Sequence, residues 1–236
     1  MLELLKKEVC EANKDLERLG LVSLTWGNVS GLDRKHGLMV IKASGIPYAK
    51  LTPEDMVVLD LNGNIVDGNR NPSLDTPTHL VLYRNIIGIG GIVHTHSTYA
   101  TMFCQAAREL PCYGTTHADH FCGVVPVART LTLEEVNKDY EKNTGKVIVA
   151  SLENNDPLAV PAILVPHHAP FTWGATPSQA LENSIALEAC AMMAIGSLQL
   201  KPKLDSIPEY MLNKHYHRKH GSGASYGQRE EKKTHA

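Results

Sequence analysis

Gly90-Gly91-Ile92-Val93-His94-Thr95-His96 sets two histidines two residues apart at the end of an apolar run. In a strand, successive side chains alternate between faces, so His94 and His96 project the same way and Thr95 the other. Their Cα atoms then stand roughly 7 Å apart, close enough for two imidazoles to converge on one ion at Zn–N distances of about 2.0–2.1 Å. His-x-His alone also fits two histidines on the rim of a strand. Two further elements strengthen the metal reading. A second apolar run, Ala162-Ile163-Leu164-Val165, ends in His167-His168, and an acid, Asp75, lies upstream. Three imidazoles with a carboxylate and no thiolate make a zinc-type donor set.

The rest of the chain suits a small-molecule enzyme. With 236 residues, 43% of them hydrophobic, and no composition shift or long linker, one domain with one substantial core is expected. A net charge of −2 and a pI near 6.6 give no electrostatic case for nucleic acid or an anionic membrane. Five cysteines, Cys10, Cys104, Cys112, Cys122 and Cys190, form neither an even set nor a Cys-x-x-Cys pair, so neither a disulfide framework nor a thiolate zinc site is indicated. Charges at Glu3, Lys6, Lys7, Glu8 and Lys14 interrupt the first 19 residues, and no run of eighteen apolar residues follows. A cytoplasmic protein is expected.

The chain around the histidines alternates strands and helices. Residues 2–18 read as an amphipathic helix ended at Gly20, and Ser23 to Trp26 as a strand entering a glycine-bearing turn over 27–31. A strand over 38–42 delivers Ser44-Gly45 into a loop that is either an ordinary turn or a phosphate cradle. Residues 56–60 and 65–66 flank Asn62-Gly63 as a hairpin with a type I′ turn. Thr76-Pro77 opens a helix, which leaves Asp75 as either a capping acid or a metal ligand. A helix is expected over 98–109, followed by the polar cluster 115–120, where Asp119 is either a general base or a solvated loop acid. Thr132-Leu133-Glu134-Glu135 and Thr176-Pro177-Ser178-Gln179 are capping boxes that start helices. Val147-Ile148-Val149 fits a strand or a short buried helix, 162–166 a strand, and 209–218 a helix.

Taken as a set, several motifs resemble the class II aldolase/adducin family. They are Gly27-Asn28-Val29-Ser30, Lys42-Ala43-Ser44-Gly45, Ser73-Leu74-Asp75-Thr76-Pro77-Thr78-His79, Gly91 to His96, Thr115 to Asp119, His168-Ala169-Pro170-Phe171-Trp173-Gly174, Leu212 to Tyr216 and Tyr226-Gly227-Gln228. Within that family the set is most similar to the L-ribulose-5-phosphate 4-epimerases. The resemblance implies a single α/β domain, residues 1–236, of α/β/α layers around a largely antiparallel sheet. It also implies a homotetramer in which a C-terminal tail, about 216–236, reaches a neighbouring subunit. It implies Zn2+ held by His94, His96 and His168 with Asp75 as the acidic ligand, where the related fuculose-phosphate aldolases carry glutamate. Asp119 and Tyr226 take the positions of the catalytic acid/base pair. Ser44, Gly45 and Ser73 fall where the family binds phosphate, with Asn28 and Lys42 nearby, and His215 and Arg218 match residues near the intersubunit site. Leu74 departs from the pattern, because some epimerases have a second serine there. The implied reaction is metal-dependent epimerisation of L-ribulose 5-phosphate to D-xylulose 5-phosphate at C4. A zinc aldolase, a noncatalytic adducin-like assembly module and, on His-x-His alone, a zinc hydrolase are the competing readings.

Overall fold

The computed structural model describes residues 2–153, 155–220 and 224. Its strands are β1 (Asn28–Asp33), β2 (Leu38–Lys42), β3 (Met56–Asp60), β4 (Ile65–Asp67), β5 (Gly91–His94), β6 (Ala162–Leu164) and β7 (Pro170–Gly174). Its helices are α1 (Glu3–Arg18), α2 (Thr76–Asn85), α3 (Thr98–Gln105), α4 (Thr115–Ala118), α5 (Leu133–Asn137), α6 (Tyr140–Ser151), α7 (Pro177–Leu200) and α8 (Glu209–Lys219). The strands form one sheet, β4-β3-β2-β1-β5-β7-β6, antiparallel at every step.

Apart from the exposed edge strand β4, both faces of the sheet are buried, and alternate residues of β2, β3, β5 and β7 enter different cores. Met39, Ile41, Val57, Leu59, Ile92, Phe171 and Trp173 pack beneath Leu80, Leu82 and Tyr83 of α2, Val147 and Ile148 of α6, and Leu152 just after it. Val29, Val40, Met56, Val58 and Val93 face the other way, onto Val9, Cys10 and Leu16 of α1 and Ala180 and Leu181 of α7. A third cluster joins Phe103 and Cys104 of α3 to Ala162, Leu164, Leu187 and Cys190. These are the α/β/α layers around an antiparallel sheet that the motif set implied.

Several local expectations need correction. The first strand is 28–33, not 23–26; Gly27, at φ +101 and with His94 O 2.7 Å from where a Cβ would stand, is the hinge before it. The 60–65 connection is not a two-residue type I′ turn. Gly63 alone there has positive φ, and Asp60 N donates to Asn64 O across a longer loop. Asp75, not Thr76, is the residue preceding α2. The helix after His96 stops at Gln105 rather than residue 109. Of the two conformations open to Val147-Ile148-Val149, the helix is the one formed, since Val147 and Ile148 bury against α2 and tertiary packing overrides β-branching.

Candidate metal centre

Cross-strand register builds the floor of the site. Asn28 pairs with His94, and His94 pairs with Phe171, so the three side chains form one row on the α2/α6 face of the sheet. The His94 ring stacks on Phe171 at 4.2 Å and 17°. Its Nδ1 donates to Pro170 O at 3.0 Å, which fixes the tautomer and turns the Nε2 lone pair outward.

His96 and His168 come from connections. The β5 ladder ends at His94, short of the expected 96, and His96 lies in the extended link to α3. That link is anchored because Glu188 of α7 accepts from Tyr99 N and Ala100 N at 2.9 Å each, satisfying the first amides of α3. The β6–β7 turn carries His167 at φ +59, which leaves His167 exposed and directs His168 inward. Imidazole nitrogens of His94, His96 and His168 then lie within 4.8 Å of one another, and the ring centres are 4.9–5.2 Å apart.

The donor set fits a divalent cation. Burial lowers the proton affinity of all three imidazoles, taking His168 to about 4, so near neutral pH they keep free lone pairs. His168 Nδ1 is buried with no hydrogen-bond partner, which is what a ligand set without its cation leaves. Asp75 stands outside the three-imidazole cluster but within its field. Burial opposes its charge, yet His94 and His79, with the Asn28 amide and His168, hold the carboxyl below its ordinary range.

Asn28 ties this centre to the segment that carries Ser73. Its Nδ2 donates to Asp75 Oδ2 at 2.7 Å and to Ser73 Oγ at 3.0 Å. The Ser44 and Ser73 segments are laced together: Ser44 N donates to Asn71 O, Ser73 N to Lys42 O, and Ala43 bridges Pro72. Ser44 and Gly45 are exposed, and Gly45 at φ +70 turns the loop outward. Lys42 leaves β2 toward the opposite face of the sheet, its Nζ 5.2 Å from the Tyr48 ring centre and bonded to Ala43 O at 3.1 Å. Leu74 is 74% exposed and adds no hydroxyl beside Ser73.

Asp119 belongs to a separate cluster. Following α4, it accepts from Arg218 and His215 of α8, while His220 Nε2 donates to its backbone oxygen at 2.9 Å. Neighbouring His120 shares a cavity with His220, Gly88, Trp173 and Gly174. That is the Gly91/Gly174 end of β5 and β7, about three residues or 10 Å along the strands from His94 and Phe171. Among the described residues no contact joins Asp119 to the three histidines. Residues 216–219 of the expected tail are the end of α8, on their own chain's α4; Tyr226 lies outside the described residues.

Three neighbours of the centre were not anticipated from sequence. His79, one turn after Asp75, is wholly buried and bonded through Nδ1 to Ser30 Oγ, which also meets Tyr83 OH. Trp26 stands 6.3 Å from His96, and Tyr140 stands 6.0 Å from His168. His79 had a visible signal, falling four residues after Asp75 on one helix face.

Comparison with solved structures agrees with this architecture. An L-fuculose 1-phosphate aldolase is 27% identical, covers 91% of this chain and 95% of its own, and superposes with a TM-score of 0.77. The L-fuculose-1-phosphate aldolase of Thermus thermophilus, at 23% identity, covers 86% and 100% with a TM-score of 0.68. A sugar-phosphate aldolase from Thermotoga maritima, at 19%, covers 84% and 96% with a TM-score of 0.64. The last two, being below 25% identity, speak to fold alone. Residues 7–195 match the Class II Aldolase and Adducin N-terminal domain family. The chain is a member of the class II aldolase and adducin family.

Proposed function

We propose that this protein is a zinc-dependent L-ribulose-5-phosphate 4-epimerase. The observation that carries the reading is the junction at Asn28, which links three convergent imidazoles through Asp75 to a serine- and glycine-bearing anion edge at Ser73. Such a site takes a substrate with a chelating carbonyl and hydroxyl at one end and a phosphate at the other.

The C4 hydrogen of a 2-ketopentose phosphate is not adjacent to the carbonyl, so its removal would leave a carbanion with no acceptor. Breaking C3–C4 instead leaves the enediolate of dihydroxyacetone and glycolaldehyde phosphate. His94, His96 and His168, with Asp75 as the acidic ligand beside them, would hold a divalent cation, which would supply Lewis-acid stabilisation of the enediolate oxygens. Ser44, Gly45, Ser73 and Asn28, with Lys42 behind them, hold the phosphate so the aldehyde turns without leaving. Asp119 and Tyr226 take the O4 proton on one face and return it on the other. Arg218 and His215 keep Asp119 ionised and aimed. The separation of Asp119 from the histidines within one chain supports sites completed between subunits, as in a homotetramer. The sequence features that point to a cytoplasmic protein stand beside one structural fact: no described helix is long and apolar enough to cross a membrane.

A second reading, a sugar-phosphate aldolase, is favoured by the 27% identical aldolase. It uses the same metal set and anion edge and releases the aldehyde. Incubation of the zinc-loaded protein with L-ribulose 5-phosphate separates them. D-xylulose 5-phosphate, lost in His96→Asn, is the expected product; free dihydroxyacetone and glycolaldehyde phosphate without epimer would establish the aldolase instead.

A further inference from the structure

Tyr140 is the first residue of α6, and its position is fixed from several directions. Asp139 before it sits at φ +56 and ψ +48, a left-handed conformation that costs a non-glycine residue about 1 kcal/mol or more and persists when the surroundings impose it. Thr78 Oγ1 of α2 donates to Glu141 O at 2.6 Å, and Thr144 Oγ1 donates to Tyr140 O at 2.9 Å. Asn143 Nδ2 reaches back to Glu135 O at 3.1 Å and Lys138 O at 2.5 Å. Gly145 lets the helices close, since a Cβ there would stand 2.8 Å from Val81 Cβ and 3.1 Å from Thr78 O. The start of α6 is therefore clamped beside the start of α2, where Asp75 stands.

The result is a half-buried aromatic ring at 6.0 Å and 44° from His168. We propose that Tyr140 is a substrate-positioning residue whose phenol hydrogen-bonds an oxygen of the three-carbon, enediolate-forming half of the sugar. This rests on the retro-aldol reading of the site, and it assigns the hydroxyl, which also meets the Thr144 side chain, a task that packing on His168 does not require. Tyr140→Phe keeps the ring and removes that hydroxyl.

The test uses glycolohydroxamate, a two-oxygen mimic of the enediolate, titrated calorimetrically into zinc-loaded wild type and Tyr140→Phe, with zinc affinity measured separately by chelator competition. Zinc affinity and melting temperature are expected to match wild type, while hydroxamate affinity falls about tenfold, the loss of a hydrogen bond to an anionic group. With L-ribulose 5-phosphate, kcat/KM falls by a similar factor and Tyr140→Ala gives no lower affinity than Phe beyond the ring's packing. Equal hydroxamate binding by wild type and Tyr140→Phe, or loss of zinc from the variant, overturns this proposal alone. Absence of zinc-dependent hydroxamate binding in the wild type overturns it together with the retro-aldol reading.

Discussion

Arg218 grips Asp119 with two parallel hydrogen bonds, Nε to Oδ1 at 3.0 Å and Nη2 to Oδ2 at 2.6 Å. Such a fork fixes the carboxylate's orientation as well as its charge. Burial alone would raise the Asp119 carboxyl; the bonds from Arg218 and His215 reverse that and hold it below its ordinary value. A carboxylate whose folded value is depressed stabilises the fold above its unfolded value, and that contribution is lost as pH falls through the folded one. The docking of α8 on α4 should therefore weaken below the ordinary carboxylate value of 3.8. Hydrogen exchange along Glu209–Lys219 against pH measures this, and Arg218→Ala, which removes the main cause of the depression, should lower protection at neutral pH and shrink its further loss in acid.

Lys42 is 2% exposed, and burial pulls its ammonium below its usual 10.5. For a depressed lysine the destabilisation is complete below the folded value and relieved as pH rises from there toward 10.5. Lys42→Met should raise the melting temperature of the ligand-free protein at neutral pH by about 2–4 °C, as expected for roughly 1 kcal/mol in a chain of this size. Acting only from behind, through its bond to Ala43 O, the ammonium braces the Ser44 loop, so the same variant should weaken but not abolish stabilisation by inorganic phosphate. Thermal melts with and without phosphate test both effects.

How far these groups could be read from the sequence differs by residue. The α7 cap, the 56–67 hairpin and the histidine set were legible because each rests on local chemistry, a side chain bonding its own turn or a strand's alternation. β7 was not. It begins at Pro170 after a turn at His167, and a proline-led segment carries no strand signal until the ladder with β5 supplies one. Tyr140 follows an aspartate in an otherwise polar stretch, and only the packing of α6 on α2 gives it a place beside His168. That Asp119 joins His215 and Arg218 while His94 joins His96 and His168 is a consequence of topology, which no motif spacing records.

Asn28 serves two groups at once, so its removal has two signatures. Asn28→Ala should lower zinc affinity about 10–100-fold, as loss of a group that orients a metal ligand does. It should also weaken phosphate binding, whereas Ser73→Ala should affect phosphate and leave zinc unchanged. Chelator competition and phosphate titration of both variants check the distinction.

Gly91 allows β5 to pass against the start of α7. A Cβ there would fall 2.3 Å from Thr176 O and 2.4 Å from Pro177 N, both backbone atoms that cannot swing aside. Gly91→Ala should destabilise the protein by about 3 kcal/mol or more, the upper end for overpacking, and displace the strand that carries His94. Chemical denaturation gives the stability loss, and zinc stoichiometry of the surviving folded fraction reports on the strand.

The most direct test is the fate of the hydrogen at C4. Zinc-loaded protein should convert L-ribulose 5-phosphate in D2O to D-xylulose 5-phosphate with the original hydrogen retained at C4, because that hydrogen stays on the aldehyde carbon throughout C3–C4 cleavage and re-formation. D-xylulose 5-phosphate carrying deuterium at C4, or no D-xylulose 5-phosphate from protein with a full complement of zinc, would contradict it.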